Sequence, residues 1–364
     1  MSRSRDNASA VTTVPSGVGR NMVINGGMNV AQRSASVTGI GAADGYFTLD
    51  RWNTNVGATS AGRLTQTQTA DGPNGISANC LKLDCTTADT SIAAGELLQI
   101  SHKIEGHNVQ RIGKGVAGAK EVTVSFYVKG NASATYVVEL FDADNTRSIG
   151  ALFSVTTDWN RIEVTFPTDE DDGSSPFDDD NALSLTLNFT LHAGSSFTSA
   201  ALNTVWSNND TTKRAAGGDS FFDATSRTFF LTGVQMEVGP VATEFEHEDY
   251  GTTLAKCMRY YEKQIADDGQ FIAVGYNEST SNGRGLVPFK VKKRTAPTMS
   301  DSGTHFAALS TGSTGNAADV TFDQPSVDNA RWILTNTNTT LIDGGASLLR
   351  SLADGSFVQA DAEL

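Results

Sequence analysis

The sequence predicts an all-β protein of two β-sandwich, jelly-roll-like domains, joined by one amphipathic helix and preceded by an extended N-terminal arm. Three observations predict it. Apolar and polar residues alternate through many short runs, the period of half-buried strands. Gly, Ser, Thr and Asn are plentiful while charged residues make up only 19% of the chain, a balance that suits polar outer faces and frequent turns. At 364 residues the chain also exceeds the roughly 250–300 at which one core stops growing, so two cores are expected.

Residues 1–20 are small and polar, and Pro15, Gly17 and Gly19 forbid a long regular element. They read as an arm that becomes ordered only against a partner. Residues 21–247 form the first domain, with Asn21–Met28 as its expected first strand and Leu231–Gly239 as its last. Between them, Val122, Val124, Phe126 and Val128 alternate with polar residues, and so do Tyr136, Val138 and Leu140, then Ile162, Val164 and Phe166. Leu183, Leu185, Leu187, Phe189 and Leu191 repeat the period once more, interleaved with Ser184, Thr186, Asn188 and Thr190. Turn sequences such as Asp71-Gly72-Pro73-Asn74-Gly75 separate the runs, which together read as an antiparallel jelly roll of the carbohydrate-binding-module type.

The connecting segment, 248–268, carries Leu254, Cys257, Met258, Tyr261 and Ile265 at helical spacing, capped by Asp249 or Thr252 and ended by Asp267-Asp268-Gly269. Residues 269–364 hold short β runs around Ile272, Val287, Val320 and Ile333, with a closing strand at the C-terminus, and so read as the second sandwich. Lys290, Lys292, Lys293 and Arg294, in a strand-like setting, read as charges guarding a sheet edge or docking an acidic neighbour.

A formal charge of −14 argues against a phosphate-binding surface, so direct nucleic-acid binding is not expected. No apolar run approaches a membrane span, and membrane insertion is not expected either. Cys80 and Cys85, five apart, point to opposite faces of a strand, so neither they nor Cys257 suggest a disulfide framework. The five histidines stand at no metal-ligand spacing.

Asp169-Glu170-Asp171-Asp172 and Asp178-Asp179-Asp180 are the densest charge in the chain. Asp169, Asp171, Asp172 and Asp178 are candidate ligands for a structural calcium, since they offer hard oxygen donors, but the ordered pattern of a helix-flanked calcium loop is missing. A solvated acidic loop is the competing reading. Trp206, in the polar run 204–210, is the candidate glycan-binding residue: its flat ring can stack on sugar C–H groups, or it can anchor its own loop. Trp52, Trp159 and Trp332 stand in apolar strand contexts and need no ligand. No nucleophile elbow, phosphate loop or zinc-protease motif occurs, so no catalytic residue and no cofactor are assigned, the structural calcium standing only as a candidate, and the chain is expected to be non-enzymatic.

The order Asn21-Met22-Val23-Ile24-Asn25-Gly26-Gly27-Met28, then Tyr46-Phe47-Thr48-Leu49-Asp50-Arg51-Trp52, resembles the opening of tail-fibre and tail-appendage proteins of tailed bacteriophages. The resemblance continues through Thr232-Gly233-Val234-Gln235-Met236-Glu237, Phe245-Glu246-His247 and Cys257-Met258-Arg259-Tyr260-Tyr261-Glu262-Lys263, and reaches Arg294-Thr295-Ala296-Pro297-Thr298. It implies a virion structural protein, assembled in the host bacterial cytoplasm and attached to other tail or capsid proteins through its arm. It further implies a homotrimer that recognises a host-surface glycan. A capsid decoration, cement or head-fibre protein is the alternative such a resemblance leaves open, with a glycan depolymerase third.

Overall fold

The computed structural model describes residues 19–58, 60–169, 176–302, 306–310, 313–316, 319–335 and 341–364. The predicted arm therefore lies outside the described residues except for Gly19 and Arg20. The chain is all-β, and it divides into two compact units, Met1–Tyr250 and Gly251–Leu364.

The first unit contains β1 (Ser36–Ile40), β2 (Trp52–Gly57), β3 (Arg63–Thr69), β4 (Cys80–Thr87), β5 (Leu97–Glu105) and β6 (Val122–Gly130). It continues with β7 (Ala134–Asp142), β8 (Arg147–Val155), β9 (Asn160–Phe166), β10 (Leu183–Ala193), β11 (Ser207–Asn208) and β12 (Thr228–Val238). Two six-stranded antiparallel sheets, ordered β1-β3-β4-β12-β6-β9 and β11-β8-β7-β10-β5-β2, enclose one core. The alternation read from the sequence gives that core directly: Val124, Phe126 and Val128 from one sheet meet Tyr136, Val138, Leu187 and Phe189 from the other. Phe126 packs edge-on against Phe153 and Phe189, with centroids 5.1 and 4.9 Å apart, an arrangement favoured by the ring quadrupoles. Leu81, Leu83 and Cys85 share the core face of β4, which leaves Cys80 on the other face; all three cysteines are buried and none is in a disulfide.

The expected first strand at Asn21–Met28 is instead a turn. Asn25 takes the left-handed conformation at φ 60° and its side chain replaces sheet bonding. Its Nδ2 donates to the carbonyls of Val30 and Asp50, while its Oδ1 accepts from the backbone N–H groups of Asn29 and Val30. The short polar side chain that tolerates this conformation thus ends the run before it can extend. The turn still meets the last strand. Met22 N donates to Met236 O (2.9 Å) and Val234 N to Gly26 O (3.0 Å), so close that a Cβ on Gly26 would lie 2.0 Å from Val234 O.

The second unit contains β13 (Tyr261–Ala266), β14 (Phe271–Asn277), β15 (Gly283–Pro288), β16 (Thr298–Asp301) and β17 (Phe306–Ser310). It closes with β18 (Ser313–Asn316), β19 (Asp319–Asp323), β20 (Asn329–Thr335), β21 (Ala346–Ser351) and β22 (Ser356–Asp361). The C-terminal strand is central in a three-stranded sheet, β13-β22-β16, and the rest form a seven-stranded sheet, β18-β17-β21-β14-β15-β20-β19. Trp332, Phe306, Leu349 and Val358 belong to its separate core.

The connecting helix is shorter than its stripe predicted. It spans Tyr250–Met258, and Tyr261 and Ile265 lie on β13, paired with Asp361 and Phe357 of β22. The physical cause is Lys293, which is buried where a guarding edge charge would be exposed. Its Nζ donates to Met258 O at the helix end (2.5 Å), to Val291 O (3.0 Å) and to Glu262 Oε2 (2.6 Å). A cation on the last carbonyls stops the helix and favours its negative pole. Arg294 is likewise engaged, donating to the carbonyls of Ala362 and Glu363, so at least these two members of the basic cluster staple the unit rather than guard an edge.

Candidate functional site

The β11-β8-β7-β10-β5-β2 sheet turns most of its apolar residues to the core and a largely polar ladder to its other face. Cross-strand register aligns Asn55, Gln99, Thr190 and Val137 in one row, Asn53, Ser101, Asn188 and Glu139 in the next, and Lys103, Thr186 and Phe141 in a third. Hydrogen bonds link Asn55, Gln99 and Thr190 of the first row, and Ser101, Asn188 and Glu139 of the second. Asn55 Nδ2 donates to Gln99 Oε1 (2.9 Å), and Gln99 Nε2 donates to Thr190 Oγ1 (2.9 Å). Ser101 Oγ donates to Asn188 Oδ1 (2.7 Å), whose Nδ2 donates to Glu139 Oε2 (2.9 Å).

Arg214 completes the ladder from the segment between β11 and β12. Its Nε and Nη2 each approach a Glu139 oxygen at 2.6 Å, and the guanidinium lies 4.8 Å over the Phe141 ring. Burial opposes the Arg214 charge, but the hydrogen bonds and negative charge of Glu139 outweigh it and hold its pKa above the ordinary value. A carboxylate clamped by a bidentate guanidinium and an amide is an acceptor fixed in place. At the opposite end of the third row, Arg33 and Lys103 lie 5.2 and 5.9 Å from the centroid of the Tyr46 ring.

Two side chains in the rows stand apart. Asn53 (6% exposed) and Thr186 (7%) are nearly buried and make no side-chain hydrogen bond among the described residues, though their polar atoms are not wholly closed off from solvent. The arrangement therefore offers an amide and a hydroxyl, set among hydrogen-bonded neighbours, to a ligand rich in hydroxyl groups. Part of the face is covered. Asn203 Nδ2 donates to Ser148 O (2.7 Å), and Leu202 packs so near Gly150 that a Cβ there would lie 3.4 Å from it.

Trp206 is not in this lattice. It is half-buried against the core at the β11 edge, its Nε1 donating to Pro167 O (3.1 Å), and its ring covers Lys114 with 5.6 Å from Nζ to centroid. Beneath it lies a buried charge cluster. Lys114 Nζ is 2.6 Å from Asp142 and 3.2 Å from Asp169, and Arg147 meets both Asp169 oxygens, Nε at 3.0 Å and Nη2 at 2.9 Å. Two cations balance two carboxylates.

Of the candidate calcium ligands, Asp169 thus turns inward to Lys114 and Arg147. Asp178 is exposed, and Asp171 and Asp172 lie outside the described residues. Among the described residues no cluster of three or more His, Cys, Asp or Glu could hold a metal ion. The ladder escaped sequence reading because its rows join strands distant in the chain. The available signal was the choice of Ser, Thr and Asn, not Lys or Glu, at every outward position of β10 from Ser184 to Thr190.

No protein-family model matches the chain, and no curated protein matches it. Solved structures similar to part of it include the family 11 carbohydrate-binding module of the cellulosomal cellulase Lic26A-Cel5E of Clostridium thermocellum. That likeness is 13% in identity, covers 59% of this chain and 100% of the other, and has a TM-score of 0.28. The CBM22-1 xylan-binding domain of Paenibacillus barcinonensis Xyn10C is similar at 13% identity over 52% of this chain and 87% of the other, with a TM-score of 0.27. TmCBM61, solved with β-1,4-galactotriose, is similar at 8% identity over 60% and 99%, with a TM-score of 0.29.

Proposed function

We propose that this chain is a glycan-recognition component of a tailed-phage virion, a tail fibre or tail appendage that contacts host-surface sugar through the ladder face of its first unit. The observation that carries the sugar reading is the pair Asn53 and Thr186, unpartnered among the described residues and set in a hydrogen-bonded lattice that holds the surrounding side chains in place. A saccharide presents alternating donors and acceptors, which such a surface satisfies without reorganising. Glu139 acts as a fixed acceptor in this reading, so the function is binding and not cleavage. The virion reading rests on the motif order from Asn21 to Thr298, and it includes a homotrimer and attachment through residues 1–20. Several copies on one particle turn weak single contacts into firm attachment.

The test is titration of the full-length chain against a panel of bacterial O-polysaccharides and capsular polysaccharides. Binding to at least one is expected. Asn53→Ala and Thr186→Val should each weaken it by roughly three- to tenfold, the loss of about one hydrogen bond, with the melting temperature unchanged. Absence of binding across the panel, or binding that both variants retain in full, refutes the ladder site. Immunogold labelling of intact particles addresses the virion reading separately: label on the tail supports it, and label spread over the head makes the protein a capsid component.

A further inference from the structure

The second unit presents the opposite kind of face. On the outer side of its seven-stranded sheet, Val274 (67% exposed) lies between Leu286 (53%) on β15 and the half-buried Leu348 on β21, in one cross-strand row. Tyr276 (49%) stands in the next row beside Arg284 and Ile333, and Phe271 (53%) lies beyond the register shift of β14. Single exposed apolar side chains are ordinary, but a contiguous apolar sheet face marks a contact surface.

Its rim is charged and internally balanced. Arg331 pairs with Asp323, Arg284 with Glu278, and Arg350 with Asp268 at 3.8 Å. Elsewhere the chain carries a strong excess of carboxylates, to a total of −14, so two copies repel over most of their surfaces. On this patch they do not, and a basic partner would find no negative excess there to steer it. The apolar row spans three strands and the charged rim on β20 and β19 brings the face to five; at about 4.8 Å between strands and about 3.4 Å along six residues this is a footprint of roughly 500 Å² before side-chain relief is added, against the ~800 Å² per partner that a stable interface buries.

We propose that this face is where a second copy of the same chain docks, with Val274, Leu286, Tyr276 and Phe271 forming the buried centre and the three arginine pairs the rim. The inference locates the self-association of the virion reading and is independent of the ladder face, so failure of sugar binding leaves it standing. Light scattering of the full-length chain across a dilution series tests it. The wild type should be oligomeric, and Val274→Glu with Leu286→Glu should raise its dissociation constant by more than about tenfold. Should that double variant misfold, Val274→Thr with Leu286→Thr keeps β-compatible side chains, and the same weakening to a smaller degree is expected. A wild type that stays monomeric at high micromolar concentration overturns the proposal, as does an oligomer that folded variants of both kinds leave unaltered.

Discussion

His102 is fully buried on β5, edge-on to Trp52 at 5.2 Å between centroids, with Nε2 3.1 Å from both the N–H and the carbonyl of Ile24 and Nδ1 without a partner. Burial, reinforced by the nearby Arg51 charge, holds its pKa well below the ordinary histidine value. Burial also lowers that of His192, although Glu96 and Asp89 oppose the shift. In both cases the unfolded chain binds the proton more readily than the folded one. Stability of the first unit is therefore full above the unfolded value near pH 6.5 and is lost as pH falls below it, by up to about 1.4 kcal/mol per pH unit for each histidine. Denaturant titrations at pH 7.5 and 5.5 should show this loss, and His102→Gln should make it shallower; an unchanged slope removes His102 as a cause. At Trp206 the contacts argue for anchoring. Trp206→Ala strips the cover from Lys114 and should cost the first unit about 2–4 kcal/mol, somewhat under a fully buried tryptophan, while leaving sugar titrations unaltered. A selective loss of sugar binding at constant stability would return Trp206 to the ligand site.

Among the elements, strands were legible and their partners were not. The alternation in 122–128 and 183–191 marks β6 and β10 because one face of each is core, and the physics of that face is local. That the polar face of β10 is also buried follows from β5 and β7, whose Ser101 and Glu139 come from elsewhere in the chain to bond Asn188. No single run contains that information. The helix boundary failed for a related reason: Leu254, Cys257, Met258, Tyr261 and Ile265 fit a helix, but Ile265 is 61% exposed on β13, and Lys293, distant in the chain, caps the helix at Met258. Glu262, buried as the counter-ion of Lys293, also accepts from the backbone N–H of Lys290 (3.1 Å). Glu262→Ala leaves a buried ammonium uncompensated and should destabilise the second unit by about 3–5 kcal/mol, whereas Glu262→Leu with Lys293→Met should recover much of that loss. Equilibrium denaturation of the two variants decides it: equal losses would mean that the pair's charges are not what matters.

At the scale of the whole molecule, the two units have separate cores that share no residue, Phe126 and Phe189 in one and Phe306 and Trp332 in the other. Calorimetry of the full chain should accordingly resolve two transitions. Phe126→Ala should lower one and Trp332→Ala the other, each by roughly 3–5 kcal/mol, with the larger temperature shift in the smaller second unit because its unfolding entropy is less. The two surfaces then separate in the same experiment. A saccharide held by the ladder binds only the folded first unit and should raise that transition alone, while self-association through the β14–β15 face should make the second transition rise with protein concentration. If saccharide raises both transitions together, or dilution shifts the first and not the second, recognition and assembly are not divided between the units in this way. A clean division would mean that the polar sheet face and the apolar one evolved for different partners within one chain, the first for hydroxyl-rich sugar and the second for another copy of itself.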